Sequence, residues 1–368
     1  MGDQSPRTPY RQQYPARPAP APGSPQRASR AGHSPAAPSA AAATGQRKGW
    51  SEPRHYAALD LGTNNCRLLI ARPQGDGFAV VDAFSRIVRL GEGLAATGKL
   101  SDAAIERTLS ALKVCADKLK RRNVLLSRSV ATEACRRADN GAAFIARALD
   151  ETGIHLDIIS AEEEARLAVL GCHALIEPGE DPALIFDIGG GSTELVLVDT
   201  RSEVPRVLDW HSAPWGVVSL TEHIGYADSR QGRLDAYQRM RDIVAESFAA
   251  FTARLPRGID RPRLLGTSGT VTTLASVHLG LSRYDRAEVD GLIVPASSMR
   301  RISADLSGMD LAERATLPCI GTERADLVVA GCAILETIMD LWPAERLGVA
   351  DRGIREGILR RLMGKERL

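Results

Sequence analysis

Two stretches place acids and glycines where they could do chemistry on a phosphate. Residues 183–198 read as an apolar run broken only by Asp187, then Gly189, Gly190, Gly191, Ser192 and Thr193, then Glu194 and a second apolar run. That pattern spells a buried strand, a tight turn and a strand returning beside it. Glycines allow positive φ and leave the turn's N–H groups bare, so they can close on an anion. Asp187 and Glu194 would flank that anion. Two carboxylates there repel it unless a divalent cation, usually magnesium, lies between them. Taken alone, the stretch could also be a glycine-rich hairpin with two solvated acids. It is not alone. Residues 56–70 repeat the design, with Asp60, then Gly62, Thr63, Asn64 and Asn65, then a second strand starting through Arg67. Two copies about 127 residues apart suggest a duplicated domain gripping phosphates from both sides. A third glycine turn, with Gly266, Ser268 and Gly269, follows an apolar strand and opens a helix whose first amides could bind another phosphate.

The elements that must hold these turns are strands at 56–61, 66–72, 77–84, 123–131, 154–159 and 346–350, besides the second hairpin. Helices are expected at 102–121, 141–152, from Ser160 to about 176, and at 217–224, 231–254, 269–280, 296–306, 324–341 and 353–363. Ser101 caps the first helix, which turns Ile105, Leu109, Leu112 and Leu119 to one side. Ser160 and Glu163 form a capping box, and acids in a first turn suit the helix dipole. That explains Glu162 and Glu163 well and Glu164 less well, because Glu164 lies one step past the cap. Strand groups alternating with helices give an α/β class.

The 368 residues leave room for two domains, each with its own core. The formal net charge of +2 is uneven, being +6 over residues 1–50 and −4 over the rest. A mildly acidic folded part argues against nucleic-acid binding. Residues 1–52 carry nine prolines and almost no branched aliphatics, and are expected to be a disordered tail. The six cysteines form no C-x-x-C pair and read as reduced thiols of a cytoplasmic protein. No apolar run approaches the ~20 residues needed to cross a bilayer, so no membrane association is expected. The seven histidines, His33 in the tail among them, show no metal or triad pattern.

Five motifs occur in one order: the turn at 60–65, Ser160 with Glu163-Glu164-Ala165-Arg166, the turn at 187–194, Gly266 with Ser268-Gly269-Thr270, and Asp351 with Arg355-Glu356-Gly357. From about residue 55 onward the chain resembles the exopolyphosphatase and guanosine pentaphosphate phosphohydrolase (Ppx/GppA) family, in its short two-domain form, within the actin, sugar-kinase and chaperone-ATPase superfamily. The resemblance implies two ribonuclease-H-like (actin-like ATPase) domains, at 53–180 and 181–350, with a cleft between them. It also implies a last segment, 351–368, whose helix crosses back onto the first domain. Carried over residue by residue, Asp60, Asp187 and Glu194 would hold magnesium and water. Gly62, Thr63, Asn64, Asn65, Arg67, Gly189, Gly190, Gly191, Ser192, Thr193, Gly266, Ser268 and Gly269 would contact phosphate. Arg136 corresponds to an arginine on the phosphate chain, its alternative being a solvated charge. Glu164 would be the general base. The first turn departs from the family pattern, with Asn65 where a hydroxyl residue is common. Longer members carry further helical domains, whereas this sequence ends at Leu368, which counts against processive action on very long chains.

The implied reaction is hydrolysis of a terminal phosphoanhydride, with inorganic polyphosphate as the first substrate and guanosine pentaphosphate (pppGpp) as the alternative. Arg121, Arg122, Arg136, Arg137, Arg257, Arg261 and Arg263 offer a basic track for a polyanion or, for most of them, simply solvated faces. A sugar or carboxylate kinase, and a nucleotide-switched chaperone or filament protein, are the rival readings. A homodimer is expected by family analogy alone.

Overall fold

The computed structural model describes residues 54–75, 77–202, 205–255, 259 and 261–364. The stretch expected to be a disordered tail, His33 within it, and Arg257 lie outside the described residues. Arg54–Leu368 form one compact unit, organised by two sheets of the same plan. The first sheet runs β3 (Gly77–Ile87), β2 (Asn65–Gln74), β1 (His55–Leu61), β4 (Val124–Ala131), β5 (Leu156–Ile158). The second runs β8 (Arg206–Ala213), β7 (Thr193–Asp199), β6 (Ala183–Ile188), β9 (Arg263–Thr267), β11 (Arg346–Ala350), with β10 (Ile293–Pro295) added antiparallel at the edge. Each sheet is an antiparallel three-strand meander continued by two parallel strands. The repeat seen in the hairpins therefore extends through both sheets.

Helices fill the connections. In the first half they are α1 (Leu94–Thr97), α2 (Asp102–Arg121), α3 (Glu133–Arg137), α4 (Gly141–Thr152) and α5 (Ala161–Cys172). In the second they are α6 (Val217–Ile224), α7 (Arg230–Arg254), α8 (Ser268–His278), α9 (Arg286–Val289), α10 (Ala296–Gly308), α11 (Leu311–Ala315), α12 (Gly321–Arg324), α13 (Val328–Leu341) and α14 (Ile354–Leu362). Ser101 caps α2 by accepting from the Ala104 amide, as its sequence predicts. Helix α13 is strongly apolar and buried nearly throughout, with α7 and α10 among its neighbours.

Three expectations need correction. The helix placed at 324–341 is broken, so Arg324 ends α12 and only α13 is the core helix. The helix from Ser160 stops at Cys172, and one tighter 3₁₀ turn follows. Strand β8 was not foreseen, because its half-exposed face carries Asp209, Trp210, His211 and Ser212 with no clear two-residue alternation.

Helix α5 is the wedge of the molecule. Its Leu167 joins Tyr56, Ala58, Leu69 and Val130 on the first sheet, while Ala165, Val169 and Cys172 join Ile185, Val196 and Leu265 on the second. Helix α14 crosses back to the first sheet, burying Ile354, Ile358 and Leu359 there. It lies against α5 so closely that a Cβ on Gly357 would sit 2.2 Å from the Leu167 carbonyl oxygen, and one on Gly171 would sit 2.0 Å from that of Gly353. Glu356, 1% exposed, accepts from the Gly353 amide at 2.9 Å and from Arg286 Nη2 at 2.9 Å, so one carboxylate caps α14 and ties it to α9. Although burial opposes the charged form, Arg355, Arg286 and the Gly353 amide together hold its pKa below the usual value. Glu356→Ala is therefore expected to cost about 2–3 kcal/mol by stranding two donors. Because the folded-state pKa is depressed, this contribution is present above the ordinary glutamate pKa and is lost as pH falls through the folded-state value. Thermal melts from neutral to acid pH check both parts: the gap between the two proteins should narrow as the pH drops.

Candidate active site

The two hairpin turns close with the same backbone hydrogen bond. Gly62 N donates to Asn65 O at 2.9 Å, and Gly189 N donates to Ser192 O at 2.9 Å. In the first turn the carbonyls of Thr63 and Asn64 accept from Gly91, Val88 and Arg89. In the second, the carbonyls of Gly189 and Gly190 accept from Val217, Val218 and Ser219 at the start of α6. With their carbonyls held from behind, the amides of Thr63, Asn64, Gly190, Gly191 and Ser192 keep no acceptor among the described residues. Such bare N–H groups form an anion cradle. The turns also touch each other. A Cβ on Gly190 would lie 2.9 Å from Thr63 Cβ and 3.1 Å from Asn64 N, and one on Gly191 would lie 2.8 Å from Thr63 Oγ1.

The paired strands set the charges. Asp60 stands opposite Arg67 in one hairpin, and Asp187 stands opposite Glu194 in the other. The repeat thus puts an arginine on one side and a carboxylate on the other at the same position, leaving an excess of negative charge. Glu194 is 3% exposed and accepts from Ser192 Oγ at 2.7 Å and Ser212 Oγ at 2.9 Å. Burial, and next the Asp187 charge, push Glu194 up to about 7. Burial likewise pushes Asp187 to about 6 against the pull of Arg67, and raises Asp60. Glu164, in the first turn of α5, reaches the same cleft and is 8% exposed. Burial and the neighbouring Glu194 charge raise its carboxyl well above the usual range, with Arg136 opposing them.

Two buried acids, Glu164 and Glu194, and two partly buried ones, Asp60 and Asp187, all with raised proton affinity, fit a divalent cation, which would supply the missing positive charge. Among the described residues no three His, Cys, Asp or Glu side chains gather into a cage made of protein alone.

Most of the residues singled out from sequence come together here. Asp60, Gly62, Thr63, Asn64, Asn65, Arg67, Glu164, Asp187, Gly189, Gly190, Gly191, Ser192, Glu194, Ser268 and Gly269 line one cleft of about 130 Å³. Three do not line it. Thr193 is fully buried and gives its hydroxyl to Trp215 O at 2.7 Å. Gly266 lies within β9 against the Phe186 ring, where a Cβ would meet a ring carbon at 2.6 Å. Arg136 donates to Glu133 at 2.6 Å, to Ile159 O at 2.7 Å and to Glu164 Oε2 at 3.2 Å, so it is neither a solvated charge nor a lining residue. The capping box at α5 is half made. Ser160 Oγ accepts from the Glu163 amide, but the Glu163 carboxylate goes to Arg128 and Arg361 instead. Of the expected basic track, Arg122 is paired with Asp82, and Arg263 is spent on the Glu177 and Asp181 carbonyls. Ser268 opens α8 at φ 96, and its buried hydroxyl has no partner among the described residues.

The sequence reading missed Arg324, Thr132, Glu133, Thr270 and Thr273 as lining residues. Arg324 Nη1 donates to Thr273 Oγ1 at 2.6 Å, and burial, with Arg67 close by, lowers its pKa. Two guanidiniums thus face the cleft. The available signal was an arginine shortly ahead of a strongly apolar helix.

A profile of the Ppx/GppA phosphatase family matches residues 69–366. Over 322 residues the chain is 33% identical to exopolyphosphatase 2 of Mycobacterium tuberculosis, covering 84% of this chain and 98% of that protein. It is 29% identical over 313 residues to the guanosine-5'-triphosphate,3'-diphosphate pyrophosphatase of Aeromonas salmonicida, covering 84% of this chain and 59% of that one. The fold matches the crystal structure of the Aquifex aeolicus member of the Ppx/GppA family with a TM-score of 0.70 at 26% identity, over 86% of this chain and 99% of that one.

Proposed function

This chain belongs to the Ppx/GppA phosphatase family, and we propose that its cleft hydrolyses the terminal phosphoanhydride of inorganic polyphosphate, releasing orthophosphate. The observation that carries this reading is the pair of touching turns whose bare amides share one cleft with Glu164. A cleft of about 130 Å³ is smaller than pockets that engulf drug-sized ligands, and it suits phosphoryl groups. Glu164 accepts a proton from a water as that water attacks the terminal phosphorus. The bridging P–O bond breaks, and the shortened chain leaves with the bond's electron pair. The amides of Thr63, Asn64, Gly190, Gly191 and Ser192 receive the charge gathering on the phosphoryl oxygens. Arg67 and Arg324 hold the next phosphates. Asp60, Asp187 and Glu194 would hold magnesium, which neutralises phosphoryl charge when bound. The same terminal anhydride occurs in pppGpp, and the name of the Aeromonas relative supports that substrate as the second reading.

Side-by-side time courses of phosphate release from short polyphosphate, long polyphosphate and pppGpp, each with magnesium and with excess EDTA, test this proposal. Release from short polyphosphate that stops with EDTA is expected. No release from any of the three, or release unchanged by chelation, refutes it.

Arg136 serves as a positioning residue that holds the Glu164 carboxylate. Arg136→Ala is expected to lower kcat about 10–100-fold with KM for polyphosphate nearly unchanged. Removing its charge also lets the Glu164 pKa rise further, so the acid limb of the rate profile should move to higher pH. A raised KM at constant kcat would instead restore the direct phosphate contact expected from sequence.

A further inference from the structure

Residues 88–93, between β3 and α1, tie the two sides of the cleft together. The Gly91 amide donates to Thr63 O at 2.9 Å, and the Val88 and Arg89 amides donate to Asn64 O at 2.9 and 3.0 Å, which holds the first turn from behind. The Gly93 amide donates to Glu222 Oε1 at 2.9 Å, on α6, whose first amides donate to the second turn's carbonyls. The Arg89 side chain goes elsewhere. Its Nη1 donates to Asp326 Oδ2 at 2.8 Å and its Nη2 to Glu323 O at 3.4 Å. Those two acceptors flank Arg324, the cleft arginine that ends α12. Arg89 sits at φ 47, a left-handed conformation uncommon outside glycine that persists where the surroundings hold it. Here the Asn64 carbonyl holds its amide, and Arg107 Nη2 donates to its carbonyl oxygen at 3.3 Å.

The segment that carries Arg324 is a single four-residue turn of helix, with Thr322 and Glu323 exposed. Thr273 Oγ1 accepts from Arg324 Nη1 at 2.6 Å, which fixes the guanidinium to α8 in the second half. Arg89 refers the same segment to the first turn. Its ion pair is partly buried, with 33% of the Arg89 side chain and 16% of the Asp326 side chain exposed, so salt screens it less than a surface pair. Arg89 is not among the residues lining the cleft, so its effect on a ligand passes through others. We propose that Arg89 is a positioning residue. It fixes the distance from the first turn's amides, which take the terminal phosphoryl group, to Arg324, which takes a phosphate further along the chain. The inference rests on the reading of the cleft given above and adds what sets its grip on a chain of phosphates rather than on one.

Calorimetry on the full chain carrying Glu164→Gln, titrated with orthophosphate and with tripolyphosphate in the presence of magnesium, tests it. Arg89→Asn removes the guanidinium and suits the backbone, since asparagine adopts the left-handed conformation more readily than most residues. Added to that protein, it should weaken tripolyphosphate binding about tenfold and leave orthophosphate binding unchanged, because the backbone bonds behind the cradle remain. Arg89→Lys keeps a charge in reach of Asp326 without the bond to Glu323 O, and should lose only about two- to threefold. Asp326→Asn should match the loss in Arg89→Asn, and the pair together should lose no more than either alone. Without ligand, hydrogen exchange in Arg89→Asn should quicken at residues 322–328 and stay unchanged at 217–220. In the enzyme with Glu164 intact, Arg89→Asn should raise KM for tripolyphosphate about tenfold at nearly constant kcat, the reverse of Arg136→Ala. Equal losses for both anions, additive losses in the double variant, or unchanged exchange at 322–328 would overturn the positioning role while leaving the cleft's reading in place. Neither anion binding the Glu164→Gln protein would instead refute the reading of the cleft, and the role of Arg89 with it.

Discussion

Glu164→Gln is expected to lower kcat about 10²–10⁴-fold while leaving the protein at least as thermally stable as the unaltered chain. The two halves of this expectation share one cause. Helix α5 is wedged between the sheets by Leu167 on one side and Ala165 and Val169 on the other, so its first turn delivers Glu164 into the acid-lined cleft. Burial and the Glu194 charge make the ionised form costly there, and this raises the carboxyl's proton affinity. A raised affinity suits a group that must take a proton from water, but it penalises the folded state as the group ionises with rising pH. Glutamine removes the base and the penalty together while still accepting from Arg136. The wild-type rate should fall as acid protonates Glu164, and the residual rate of the variant should lose that limb. Near-normal turnover by Glu164→Gln would remove Glu164 from the reaction.

Gly190→Val should lower kcat/KM about 10²–10³-fold, the scale of losing a preorganised amide donor to developing charge. A Cβ at that position meets Thr63 Cβ at 2.9 Å and the Asn64 backbone at 3.1 Å, so the first turn must retreat and its amides leave the shared cradle. Gly62→Ala is the contrasting change. Its Cβ would meet only the Asn65 carbonyl oxygen, at 3.6 Å, an ordinary contact, and activity should change little. Equal losses in both variants would mean that glycine matters here for flexibility and not for the approach of one turn to the other.

The sequence carried the hairpins clearly because two local signals agreed, apolar strands on either side and glycine between them. Their strand pairing then follows from the short turn, which sets Asp60 against Arg67 and Asp187 against Glu194. Order beyond the turns was harder to read. Which carbonyls are tied down depends on Gly91 and on the start of α6, far along the chain. Thr193 and Gly266 sit inside their motifs but serve packing, since a motif's spacing does not say which way each residue faces. Arg136 was placed on substrate, whereas three-dimensional proximity turns it onto Glu133 and Glu164. Arg324 escaped notice because a run of apolar residues after it reads as one helix, and the break between α12 and α13 is set by tertiary packing.

The most direct measurement is a crystal structure of the Glu164→Gln protein with tripolyphosphate and magnesium. The terminal phosphoryl group is expected within hydrogen-bond distance, about 3 Å, of amides from both turns, with one water between it and the side chain at position 164. A terminal phosphate held by one turn alone, or lying where no water can bridge it to residue 164, would contradict the shared cradle and the base together.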